Sequence, residues 1–233
     1  MELQPNKGKN LVIEVNSRKF ARYPVKTKLI TPDDKDISII IEEYAKKYLE
    51  PKDIVFISEK VVAVTQGRSY PLKEIKASKL AKFLSKYVTK TPIGIGLGSP
   101  ETMQLAIEEV GALRIIFSAI IGGVFKIFGV KGVFYMLAGS GARAIDGAVP
   151  YAIPPYNTYV SKGPVDAEKA AQKISEKLNV GVAIIDANDF GVNILGASRG
   201  VDKKLVAKII KDNPLGQTDE QTPTGIIREI SDF

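Results

Sequence analysis

Asp53-Ile-Val-Phe-Ile-Ser-Glu-Lys-Val-Val-Ala-Val-Thr-Gln-Gly-Arg68 decides the class of this fold. Its first six residues, Asp53 to Ser58, are a β-branched and aromatic run, which predicts a buried strand. Amphipathic helices are expected on both sides of it. Upstream, Asp36 to Leu49 places Ile37, Ile40, Ile41, Tyr44 and Tyr48 at helical spacing after the turn Thr31-Pro32-Asp33-Asp34. Downstream, Ala77 to Val88 repeats the pattern with Leu80, Phe83, Leu84 and Tyr87. Leu11 to Val15 reads as a further strand. Ser99 is placed to cap a helix with Pro100 at its first position and Gly111 just past its end. In the second half, Val133 to Leu137 reads as a strand, Gly139 to Pro155 as loop and Val165 to Leu178 as helix. Val180 to Ile185 then reads as a strand ending at Asp186. A short strand, a helix over Val201 to Lys211, the polar loop Asp212 to Pro223 and the segment Thr224 to Arg228 follow. Strands and helices alternate, so the class is α+β (mixed α/β) with the sheet partly covered.

Composition narrows the chemistry. The 233 residues are 45% hydrophobic and 25% charged, enough to bury an ordinary core and too apolar for a disordered chain. There is no cysteine, so thiolate nucleophiles, disulfides and thiolate metal sites are excluded. There is no histidine either, which excludes Ser-His-Asp triads and histidine-bound zinc or iron. A metal here has to be held by oxygens, which points to Mg²⁺, Mn²⁺ or Ca²⁺.

The 33 Lys and Arg against 26 Asp and Glu give a net charge of +7. Much of the excess lies early, at Lys7, Lys9, Arg18, Lys19, Arg22, Lys26 and Lys28, and reads as a solvated basic surface. No basic motif interleaved with aromatics follows, so nucleic acid is not expected as a partner. The lack of Cys, His and Trp with abundant Lys, Ile and Glu suits a heat-loving source. Met1 to Asn10 is polar with no apolar core segment, so no secretory signal is expected and the cytoplasm is. Ile115 to Phe125, the longest uncharged apolar stretch, is short of the ~20 residues a spanning helix needs, and the wider segment Leu113 to Leu137 is unusually greasy. It is expected to be core or subunit interface rather than membrane contact.

Four clusters could carry chemistry. Gly94, Gly96 and Gly98 precede a helix and resemble a phosphate cradle, but the spacing is that of neither GxGxxG nor a Walker loop, and tight strand packing is the competing reading. Asp186 follows an apolar strand and opens the polar turn Asp186-Ala-Asn-Asp189, where open α/β sheets present ligands. Asp146 offers a second carboxylate in a glycine-flanked loop, and Gly216-Gln-Thr-Asp-Glu-Gln221 an oxygen-rich third. Together these could meet a hard cation and phosphates; each alone could equally be a solvated loop.

Read together, the segments resemble the γ-glutamyl ligase family that adds glutamate to the deazaflavin coenzyme F-420, over about Pro24 to Arg228. Pro24-Val25 with Asp36-Ile37 is similar to the family's opening strand and helix. Asp53 to Arg68 is similar to its pattern ending Lys-Ile-Val-Ser-Lys-Ala-Glu-Gly-Arg, and Ser99 to Glu109 resembles the helix that comes next. Ala144-Ile-Asp-Gly stands for the family's Gly-Ile-Asp-Ala-Ser-Asn and Asp186-Ala-Asn-Asp for Asp-Thr-Asn-Gly. Gly216-Gln-Thr-Asp-Glu-Gln-Thr-Pro223 stands for Gly-Gln-Ala-Asp-Glu-Gly-Ile-Pro.

The resemblance implies one ligase domain over residues 1–233, with two intertwined subdomains of about 1–138 and 139–233, working as a homodimer. It implies GTP as the energy source, Mn²⁺ or Mg²⁺ as cofactor, and L-glutamate plus a small-molecule carboxylate acceptor as partners, with no nucleic acid or membrane. Asp146 and Asp186 would be catalytic. The metal would be held by Asp146, Asp186, Gln217 and the backbone of Ala187. Lys28, Leu29, Ile30, Thr31, Lys60 and Asn188 would line the nucleotide. The family's second lysine falls here on Val64 and its loop asparagine near Val149, which leaves a non-catalytic nucleotide- or anion-binding homologue as the alternative.

Overall fold

The computed structural model describes residues 3–88, 96–188 and 191–230. Strands β1 (Val12–Val15) and β2 (Arg18–Val25) form a hairpin turned at Asn16 and Ser17, both at positive φ. Helix α1 (Ile37–Ala45) starts where Asp36 accepts a hydrogen bond from the Ser38 amide at 3.0 Å, satisfying an amide the helix itself leaves open. Strand β3 (Ile54–Ser58) runs directly into α2 (Glu59–Thr65). After β4 (Ser69–Pro71) come α3 (Lys79–Leu84), α4 (Pro100–Val110), α5 (Ala112–Ile127), α6 (Val133–Ala138) and α7 (Ser140–Arg143). The chain closes with β5 (Tyr159–Ser161), α8 (Ala167–Leu178), β6 (Gly181–Asn188), β7 (Gly191–Ala197), α9 (Lys203–Ile209) and β8 (Thr224–Ile230).

These elements form two compact units, residues 1–67 with 164–233, and residues 68–163. The boundaries fall at 67/68 and 163/164, because the sheet of the first unit draws strands from both ends of the chain.

The first unit holds a six-stranded sheet in the order β1-β2-β8-β3-β6-β7. Strands β3 and β6 pair in parallel, while β8 is antiparallel to both β2 and β3. Hence β2, β3 and β6 all point the same way. Side chains alternate between faces: Phe56, Ala183, Ile185 and Ile227 pack with Val206, Ile209 and Ile210 of the α9 segment. Their neighbours Val55, Ile57, Val182, Ile184 and Ile226 are buried on the opposite face, where α1, α2 and α8 lie. Each fully buried aliphatic side chain contributes roughly 1.5–3 kcal/mol.

The second unit packs α3 to α7 against the short pair β4–β5 around Met103, Leu105, Ile115, Ile145 and Val160. Helix α4 is bounded as its sequence predicts, with a reciprocal cap between Ser99 and Thr102 and Gly111 at φ 87.

Three expectations are corrected. Val133 to Leu137 is helical, as part of α6, and packs along α5: a Cβ at Gly122 would lie 2.9 Å from the Phe134 amide nitrogen. The strand expected to end at Asp186 continues to Asn188, because Asp186, Ala187 and Asn188 pair with Asn193, Val192 and Gly191 in a hairpin. The apolar segment 113–137 is core only in part: Ile115 and Val133 are buried, whereas Leu113, Phe117, Ile120, Ile127 and Phe128 are all exposed within the chain. Among the described residues no single helix is long and apolar enough to cross a membrane. Of the glycine-rich run, residues 92–95 lie outside the described residues; Gly96 makes a turn at φ 51, and the Leu97 amide donates to the Tyr135 hydroxyl at 3.2 Å.

Candidate active site

The strand directions of the first unit gather one end of its sheet. There β2 leads into the loop Lys26–Asp36, β3 leads into α2, β6 turns into β7, and β8 is entered from the loop Asp212–Pro223. Hydrogen bonds tie these connections together. The Ser58 amide donates to the Pro223 carbonyl at 2.9 Å, and the Thr27 amide to the Gln221 carbonyl at 3.2 Å. Gln221 Nε2 returns a bond to the Thr27 carbonyl at 2.7 Å. The expected residues Lys28 to Thr31, Lys60, Asp186 to Asn188 and Gln217 therefore all belong to segments meeting at this end. Asp146 belongs to the second unit.

The loop carrying Gln217 is fixed by its own chemistry. Asn213 Nδ2 donates to the Gly216 carbonyl at 2.9 Å and the Thr218 amide to Glu220 at 2.8 Å. Gly216 stands at φ 79, a left-handed backbone that favours glycine. Gln217 Nε2 is buried without a hydrogen-bond partner. Nitrogen and oxygen of a terminal amide exchange places by a half-turn. That rotation puts a carbonyl oxygen in the same buried place, a ligand type suited to a hard cation.

Asp186 alternates with Ile184, so its side chain lies on the face of α2, the helix that carries Lys60 in its first turn. Ala187 packs on the opposite face against the α9 core, which leaves its backbone as its only polar contribution. Asn188 Oδ1 accepts from the Gly191 amide at 3.1 Å and closes the hairpin. The pairing of Ser58 with Ile185 brings the start of α2, and so Glu59, level with Asp186. Glu59 carries a buried carboxylate oxygen and was not singled out from the sequence; its place at a strand-to-helix junction was the available signal.

The expected nucleotide segment is organised by Asp34. Lys28 donates to its carboxylate, as do the Thr31 amide at 2.9 Å and the Thr31 hydroxyl at 3.3 Å. Partial burial pushes the Asp34 carboxyl up, but the bonds from Lys28 and Thr31 outweigh it and hold it below its usual range. The same hydrogen bond raises Lys28. Leu29 is half-buried and Ile30 buried, so Ile30 can offer a ligand backbone only. Arg22, counted by the sequence with the basic surface, is 1% exposed. It grips Asp212 and donates to the Ile209 carbonyl at 3.0 Å, anchoring the start of the Gln217 loop to β2.

In the second unit, Asp146 is pinned beside β5: its amide donates to the Ser161 carbonyl at 2.8 Å and its carbonyl accepts from the Ser161 amide at 2.9 Å. In the same unit, Arg68 pairs with Glu109 at 2.6 Å and donates to the Gly163 carbonyl at 2.7 Å. Among the described residues no three or more Asp and Glu gather into a metal-holding group; the expected set needs only two carboxylates.

The family model described as F420-0:gamma-glutamyl ligase matches residues 24–204. The chain belongs to the F420-0:gamma-glutamyl ligase family. The match to that ligase family covers Lys28, Lys60, Asp146 and Asp186 and ends before Gln217, whose candidacy rests on its loop motif and its unpartnered amide. A comparison with individual curated proteins finds no match. Val64, on which the resemblance places the family's second lysine, is 1% exposed inside the first unit. A lysine there would bury an ammonium, so this departure is a matter of packing as well as of binding.

Proposed function

We propose that this protein is a GTP-dependent acid–amino-acid ligase that joins L-glutamate to a small-molecule carboxylate, with a deazaflavin coenzyme precursor as the acceptor class. The observation that carries the reading is the gathering of the Lys28–Thr31 loop, the start of α2, Asp186 and Gln217 at one sheet end in a chain of this family. Asp186, the Ala187 carbonyl and Gln217 supply oxygens only, and so fit Mn²⁺ or Mg²⁺. When bound, the divalent ion neutralises the charge of the phosphoryl group being transferred. Lys60 and the Lys28–Thr31 loop line the nucleotide, with Asn188 at its edge. The acceptor carboxylate takes the γ-phosphoryl group from GTP, giving an acyl phosphate and GDP. The amine of glutamate then attacks the acyl carbon, losing a proton as phosphate departs and the amide forms. For Asp146 the role of ligand and catalytic group rests on the sequence match, and its alanine variant tests it separately.

A ligand that binds only the folded state raises the melting midpoint. At a hundredfold excess over Kd the gain is about 2.7 kcal/mol, or about 5–10 °C for a chain of this size. GTP with Mn²⁺ or Mg²⁺ should produce such a shift, and Asp186→Ala should abolish it while melting normally without ligand. An unchanged shift in that variant removes Asp186 from the metal site. The buried Val64 and the half-buried Val149 favour a second reading, a nucleotide-binding homologue without turnover. It would give the same shift with no GDP formed in the presence of glutamate and acceptor.

A further inference from the structure

The second unit presents an apolar helical hairpin that no described residue of the unit covers. Along α5, Leu113, Phe117, Ile120, Val124 and Ile127 form one stripe at helical spacing, and all are exposed, Leu113 at 85% and Ile127 at 83%. Beyond Gly122 every residue through Gly132 is exposed, so the tip of the hairpin is wet on all sides. That tip carries Phe125, Phe128 and Val130 with Lys126 and Lys131. Between Glu109 and Asp146 the chain has no acidic residue; its charges are Arg114, Lys126, Lys131 and Arg143.

From these features we infer that the α5–α6 hairpin docks on an anionic lipid surface, with Phe125 and Phe128 entering the acyl boundary and Lys126 and Lys131 facing the headgroups. Length agrees with lying in the interface: α5 has 16 residues, about 24 Å, short of the ~30 Å hydrocarbon core. Charge agrees as well, because each lysine near an anionic membrane is attracted to it and buried apolar area adds to that attraction. A second copy of the chain is a poorer occupant. A dimer seam uses one stripe and would leave the rest of the tip in water, and it would bring two all-basic hairpins together.

The test uses the full chain without nucleotide, so its outcome is independent of the ligase reading. Flotation is measured with vesicles of phosphatidylcholine alone and with added phosphatidylglycerol. Binding is expected to the anionic vesicles, to weaken with salt, and to fall at least tenfold in the Phe125→Ser/Phe128→Ser double variant. The chain has no tryptophan, so Phe128→Trp gives a single reporter whose emission should shift to the blue with anionic vesicles. The basic N-terminal residues could also bind lipid, and binding indifferent to the tip variants overturns the proposal. So does no binding at ~50 mM salt, or an unshifted tryptophan. A dimer that hides the tip and dissociates in the double variant overturns it too.

Discussion

Single residues at the ends of elements carry much of the order around the candidate site, and Asp36 shows how. Partial burial pushes its carboxyl up, but bonds from Lys173 and from the side chain and amide of Ser38 bring it down to about 2. A carboxyl held below its unfolded value of 3.8 stabilises the fold above that pH, and the contribution is lost as pH falls toward about 2. Asp36→Ala should therefore cost about 0.5–2 kcal/mol at neutral pH. Urea unfolding should show this difference shrinking between about pH 4 and pH 2; a difference constant with pH would contradict the assignment. Asp34, two residues earlier, does for the Lys28–Thr31 loop what Asp36 does for α1. Thr31-x-x-Asp34 was legible as a turn, but its hold on Lys28 depends on the path of the loop after β2.

At the scale of elements, contacts between segments distant in sequence decide what local pattern leaves open. Gly196 of β7 faces the first turn of α8 so closely that a Cβ would lie 2.3 Å from the Ala167 carbonyl carbon. Since the obstacle is backbone, Gly196→Ala should cost about 1–3 kcal/mol, read as a lower denaturation midpoint at unchanged slope. A neutral result would mean that α8 moves freely on the sheet. Helix α4 was legible from sequence because its start and stop are local: Ser99, Pro100 and Gly111 act within a turn of the helix. Val133 to Leu137 was not, because a short apolar run fits either period, and its close packing on α5 at Gly122 selects the helix. The extension of β6 past Asp186 likewise depends on its pairing with β7.

For the molecule as a whole, the mixed class and most elements follow from periodicity, whereas the division into units does not. Residues 1–67 and 164–233 form one unit because β2 and β3 pair with β8, and β3 with β6. No local pattern encodes that closure. It also explains why the site was only partly legible. Asp186 and Gln217 could be picked out as oxygen donors, but their arrival at one sheet end follows from strand order. Glutamate ligation is read at the acceptor by mass spectrometry. The protein is incubated with GTP, Mn²⁺, L-glutamate and the deazaflavin precursor that lacks glutamate. The acceptor is predicted to gain the mass of at least one glutamyl residue, with GDP formed in equal amount and neither product seen with Asp186→Ala. An unmodified acceptor, with GTP binding intact and no GDP formed, would rule out the ligase and leave a nucleotide-binding protein without turnover.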